Sequence, residues 1–146
     1  MEPEQARFVA GFAYILSRVA RADLKISEAE TRAMERIVAE QGGISEAQAV
    51  VAVQIAKSQN LLFGGTENFL VTREFSRTAS SGQKLALLDC LFAVAAAEGR
   101  ISAKEDNEIR QISNELGLDH RDFIAVRTGH RDQLAFLNPP NKPDGL

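Results

Sequence analysis

Proline is missing between Pro3 and Pro139, tryptophan is missing altogether, and cysteine occurs once, at Cys90. With no proline inside the chain, nothing in the covalent backbone interrupts helices. Runs of alternating apolar and polar residues rich in β-branched side chains are also missing, so the expected fold class is all-α. One cysteine cannot close an internal disulfide, which excludes a stapled secreted scaffold; set in an apolar run, Cys90 is expected to be a buried thiol in a reducing compartment. No apolar run approaches the roughly 20 residues that span a bilayer, and Met-Glu-Pro-Glu-Gln lacks the basic start of an export signal. A soluble, cytoplasmic protein is therefore expected. An excess of positive charge is lacking too: 17 Lys and Arg against 20 Asp and Glu leave a net charge of -3, which speaks against nucleic acid as a partner. Phosphate-binding glycine loops, a Gly-x-Ser-x-Gly elbow and His-Glu-x-x-His do not occur, so the expected protein is not an enzyme.

What the chain does have is helical periodicity. Phe8, Phe12, Ile15, Val19 and Ala22 step by fours and threes along one face. Further stripes run through Met34, Ile37 and Val38, through Ala47, Val51 and Ile55, through Leu85, Leu88, Phe92 and Ala95, through Ile109, Ile112 and Leu116, and through Phe123, Val126, His130 and Leu134. Glycine- and serine-rich breaks fall at Gly42-Gly43, between Asn60 and Thr66, at Ser80 to Gly82, at Gly99 and at Gly117. These delimit seven helices, of which a short fourth covers 66–78. The predicted domain is 1–137, and the tail 138–146, with three prolines in nine residues, is expected to be extended or mobile unless it lies on a partner or on its own domain.

Shifting the sequence by 75 residues aligns Leu16 with Leu91, Val19 with Val94, Ala20 with Ala95, Ala22 with Ala97, Ile26 with Ile101, Ser27 with Ser102 and Glu30 with Glu105. Ile37, Glu40 and Gly42 meet Ile112, Glu115 and Gly117 in the same register. The spacing predicts two related units, 8–60 and 83–137, joined by the helix over 66–78, with pseudo-two-fold halves. In each unit a helix ends, an isoleucine points inward, and Ser27 or Ser102 caps the next helix, with Glu30 or Glu105 completing a capping box. Gly99 can end its helix in the left-handed conformation, whereas Leu24 could do so only with strain, so the two corners need not be identical.

Capping accounts for Glu30 and Glu105 but not for Asp23 and Glu98, which face the negative ends of their helix dipoles. Lys25 and Arg100 could offset them as surface pairs. The other reading is a divalent cation, calcium, magnesium or manganese, held by the all-oxygen set Asp23, Glu30, Glu98 and Glu105, with Glu28, Asp106 and Glu108 as further acids. Zinc is a poor match because Cys90 is remote from both histidines, and the spacing is not that of an EF-hand, since Glu30 follows Asp23 by only seven positions. His130 is expected as a partly buried helix residue, His120 at a helix start capped by Asp119, and Arg121, Arg127 and Arg131 on a solvated face. Catalysis would need a cleft holding a carboxyl of raised pKa beside a second group.

The motif Ala-x-Ala-Asp-x-x-Ile-Ser-x-x-Glu at 20–30 and its second copy at 95–105 resemble the duplicated motif of the TerB-like family, over roughly 8–137. The resemblance implies an all-helical, internally pseudo-symmetric domain, clustered acids that hold a metal ion, and a link to tellurite and stress responses. The family's Asp-Gly corner reads Asp23-Leu24 here in one copy and Glu98-Gly99 in the other. The alternative is a metal-independent protein-interaction adaptor using a groove between the halves or the tail. Partners left open are an unidentified protein, a membrane complex reached through it, and a second copy of the chain.

Overall fold

The computed structural model describes residues 1–134, and among these it holds six α-helices, a single 3₁₀ turn and no strand. The helices are α1 (Pro3–Ala20), α2 (Glu28–Gly42), α3 (Glu46–Thr78), α4 (Ser81–Ala95), α5 (Ala103–Glu115) and α6 (His120–Thr128), followed by the turn Arg131–Gln133. The all-α expectation is met. Residues 135–137 and the proline-rich tail expected at 138–146 lie outside the described residues. No helix among the described residues is long and apolar enough to cross a membrane.

The centre of the molecule is the C-terminal half of α1 with α4. From Phe12 to Ala20 every α1 side chain is buried, Ser17 and Arg18 included, and α4 is buried at Leu87, Leu88, Cys90, Leu91, Phe92, Val94 and Ala95. A helix apolar around most of its circumference belongs inside a bundle. α1 packs on α2, α3, α4 and α5, and α4 packs on α2, α5 and α6. The ends of α1 and α4 that lead into the two corners are thus rigidly held, and the corners inherit that order.

One element departs from the sequence expectation. The break foreseen between Asn60 and Thr66 does not occur: a single helix, α3, runs unbroken from Glu46 to Thr78, so the separate helix over 66–78 is its second half. Tertiary contacts override the two glycines. Asn60 accepts from Arg21 Nε at 2.8 Å and donates to Asn68 Oδ1 at 3.1 Å, Tyr14 donates to the same Asn68 oxygen at 2.7 Å, and Arg21 reaches the Lys57 carbonyl at 3.2 Å. Gly64 lies between these asparagines, where a Cβ would meet Asn60 Nδ2 at 3.3 Å and Asn68 Oδ1 at 3.5 Å. Here glycine marks a close approach rather than a break.

The final stripe is shorter than expected. α6 stops at Thr128, His130 stands just outside it, and the 3₁₀ turn brings Leu134 beside Ile101, whose N–H donates to the Gln133 carbonyl at 2.6 Å.

Candidate acidic site between two corners

The α1–α2 and α4–α5 corners are built from the same backbone bonds. Arg21 N–H donates to Ser17 O, Ala22 N–H to Val19 O and Leu24 N–H to Arg21 O; 75 residues on, Ala96 donates to Phe92 O, Ala97 to Val94 O and Gly99 to Ala96 O. Both turns close at 2.7 Å on a residue in the left-handed region, Leu24 at φ 73° and Gly99 at φ 94°. Leu24 therefore adopts the left-handed conformation in which strain was expected. Its side chain is 83% exposed, so the left-handed turn, which costs an L-residue about 1–2 kcal/mol, is offset by no burial of its own.

After each corner comes a complete capping box. Ser27 N–H donates to Glu30 Oε1 at 2.9 Å and Glu30 N–H to Ser27 Oγ at 3.1 Å; Ser102 and Glu105 repeat both bonds at 2.9 and 3.1 Å. The Ser102 hydroxyl also donates to the Asp23 carboxylate, 3.0 Å from Oδ2 and 3.2 Å from Oδ1. That bond joins the two corners directly. Asp23, Glu30, Glu98 and Glu105 line one depression of about 350 Å³, completed by Lys25, Ser27 and Ala95.

Electrostatics follow from this crowding. Glu30 and Glu105 are only 7% and 4% exposed. Burial raises the Glu30 pKa, aided by the Glu98 charge, while hydrogen bonds to Ser27 and to the Glu105 side chain pull it back without cancelling the rise. Burial, together with the charges of Asp23 and Glu30, pushes Glu105 up to about 8 against the hydrogen bonds from Ser102. Glu105, pushed up to about 8, keeps its proton at neutral pH, and burial beside it shifts Glu30 in the same direction. Lys25 shares the depression but, among the described residues, makes no ion pair with these carboxylates.

The donor set is all oxygen, the chemistry that calcium, magnesium and manganese favour. Its present arrangement is not a preassembled cage: among the described residues, no three Asp, Glu, His or Cys side chains stand together in a metal-holding group. The reason is visible in the bonds above, since Asp23 is turned onto Ser102 and both glutamates onto their N-cap amides.

The three further acids lie elsewhere. Glu28 pairs with Arg32 on the exposed face of α2; Asp106 is buried against Arg127, with Nε–Oδ1 at 2.8 Å; and Glu108 accepts from Arg18 Nε at 3.1 Å. Arg127 is consequently half-buried in a pair with Asp106 rather than part of a solvated face. His130 stacks on Phe92 at 5.2 Å with Nε2 2.8 Å from Asp89, and His120 stacks on Phe123, both away from the depression. Asp119 occupies the N-cap position of α6 but makes no side-chain capping bond. Burial and the charges of Asp89 and Glu40 push the Cys90 thiol up to about 11, so it is an inert core group.

Sequence reasoning did not single out Arg18. It is buried in α1 and bonds Glu115 Oε1 at 2.7 Å, Thr72 Oγ1 at 2.7 Å and Glu108, tying α1 to α3 and α5. Burial alone would lower its pKa; the Glu115 hydrogen bond and the Glu108 and Glu115 charges outweigh that and raise it. Arginine in the otherwise uncharged second half of α1 was the signal that could have found it.

Residues 10–128 match a family model described as tellurite resistance protein TerB. No curated protein and no solved structure matches the chain.

Proposed function

Because the chain belongs to the tellurite resistance protein TerB family, we propose that it is a non-enzymatic cytoplasmic module that binds a divalent cation in the acidic depression and serves a tellurite or stress response. One observation carries the cation reading: four carboxylates from two separate corners share one depression, and two of them are buried where an uncharged side chain would cap equally well. Asp23, Glu30, Glu98 and Glu105 would hold the ion, which would supply positive charge to a cluster that otherwise retains a proton. The ion and that proton compete, so binding strengthens as pH rises through the range in which Glu105 ionises, up to about 8. A raised-pKa carboxyl beside a second carboxylate also suits acid–base catalysis, but commitment of both to N-cap amides gives them a role without it.

The test is a titration of metal-stripped protein with calcium, magnesium and manganese, followed by backbone amide NMR. The expected result is saturable shifts confined to residues 20–30 and 95–105, lost in Asp23→Asn. Flat spectra, or shifts that Asp23→Asn leaves unchanged, would remove the cation. They would favour the second reading, a metal-independent protein-interaction adaptor, which the exposed apolar side chains of α3 support.

A further inference from the structure

The middle of α3 has an apolar surface that nothing among the described residues covers. Val51, Ile55, Leu62 and Phe69 are 58%, 52%, 70% and 53% exposed. With Ser58 and Gly65, also exposed, they form a row spaced 4, 3, 4, 3, 4, the interval at which successive side chains of a helix fall along one coiled-coil seam. Between Ala47 and Thr66 the single ionisable residue is Lys57, and its Nζ is tied to Thr31 on α2 at 3.1 Å, away from the seam.

We infer that this seam is the interface of a homodimer, with α3 of one copy packed antiparallel on α3 of a second. The spacing is palindromic about residue 60. An antiparallel two-fold contact centred there sets Ile55 against the second copy's Gly65, Leu62 against its Ser58, and Val51 against its Phe69. Every large side chain but Val51 thus faces a notch, and each contact occurs twice, as an isologous interface requires. At the level of Val51 and Ile55 an apolar trough of about 500 Å³ opens between α1 and α3, lined by Ala6, Val9, Ala10 and Ala52 as well. It receives the Phe69 ring of the second copy.

Gly65 is the independent sign. Glycine inside a helix costs about 1 kcal/mol relative to alanine. Yet among the described residues a Cβ at Gly65 would meet nothing within 4 Å, unlike one at Gly64. Close approach of a second copy supplies a reason that the described residues do not. The absence of charge also selects a second copy among apolar occupants: a helix lying on a membrane surface carries basic residues along its polar flank, and this stretch has one lysine, already bonded. A helix face ~27 Å long and ~10 Å wide buries on the order of 1,000 Å² in all, the lower bound for a specific interface, so the dimer belongs to the weak, transient class.

The test is sedimentation velocity on the full chain over a concentration series reaching several hundred micromolar. Wild type is expected to pass from monomer to dimer. Leu62→Glu places two charges beside the axis, and Gly65→Leu fills the notch at a position with open space in the monomer; each should weaken dimerisation at least tenfold while helical circular dichroism is unchanged. Mixing chains carrying Ile55→Cys and Gly65→Cys under oxidation should give the mixed disulfide in preference to either homodisulfide. A wild type that stays monomeric throughout, or a dimer indifferent to both variants, overturns the inference. So does a monomer that binds anionic vesicles and loses that binding in Leu62→Glu, which would make the seam a membrane surface.

Discussion

Four helices begin with a serine whose hydroxyl caps the helix and a partner three residues on that reaches back to the serine N–H. At α3 and α4 the partners are Gln48 and Gln83, and both boxes are exposed. At α2 and α5 the partners are Glu30 and Glu105, buried and in contact with each other. Glutamine makes the same reciprocal bonds with no charge to desolvate. The protein therefore uses the uncharged version where solvent would forgive a charge and the charged version where burial penalises it. Helix capping is common to all four boxes; the acidity of two is additional to it, and the proposed cation would account for that addition.

The largest effect should separate the two kinds of box by pH. A carboxyl whose folded pKa lies above its unfolded value costs nothing below the unfolded value, and stability is lost as pH rises through the folded one. For Glu105 the loss runs from about 4.5 to about 8. Glu105→Gln should remove much of this slope and stabilise the metal-free protein by ~1–3 kcal/mol at pH 8, after allowance for the neighbouring Glu30 and for solvent screening. The reciprocal Gln83→Glu should introduce no comparable slope. Urea denaturation at a series of pH values measures both.

Next come the serines. Ser102→Ala loses the cap and the bond to Asp23 and should cost ~2 kcal/mol, whereas Ser80→Ala, which loses an exposed cap alone, should cost ~1 kcal/mol or less. Equal shifts in the urea midpoint would mean that the link between corners contributes nothing. The smallest effect concerns the two turns. Leu24→Gly relieves a left-handed residue and should gain up to ~1 kcal/mol, while Gly99→Ala should lose a similar amount, read as opposite changes in melting temperature.

The helices of the core were legible because α1, α2 and α5 write their buried faces as stripes, from Phe12 to Val19, from Met34 to Val38, and from Ile109 to Ile112. α3 was misread because Gly64 and Gly65 are punctuation in a sequence, while Tyr14 and Arg21, more than 35 positions away, hold Asn60 and Asn68 in a helix. The left-handed Leu24 had no local signal, since leucine rarely takes that conformation and only the corner's hydrogen bonds impose it. The acids of the depression could be picked out by their 75-residue register. Their meeting could not, because it depends on how α1 and α4 lie against each other. Nor could the diversion of Asp106 and Glu108 into pairs with Arg127 and Arg18, which are also made between helices.

The most direct test of the central claim is to count protons. Calcium binding to metal-stripped protein should be followed by isothermal titration calorimetry near pH 7 in buffers of different ionisation enthalpy, and repeated near pH 5.5. Displacement of the proton that Glu105 holds predicts up to about one proton released per ion near pH 7, and weaker binding near pH 5.5. Glu105→Gln should release none. Binding without proton release that Glu105→Gln leaves intact, or no binding at either pH, would contradict the account.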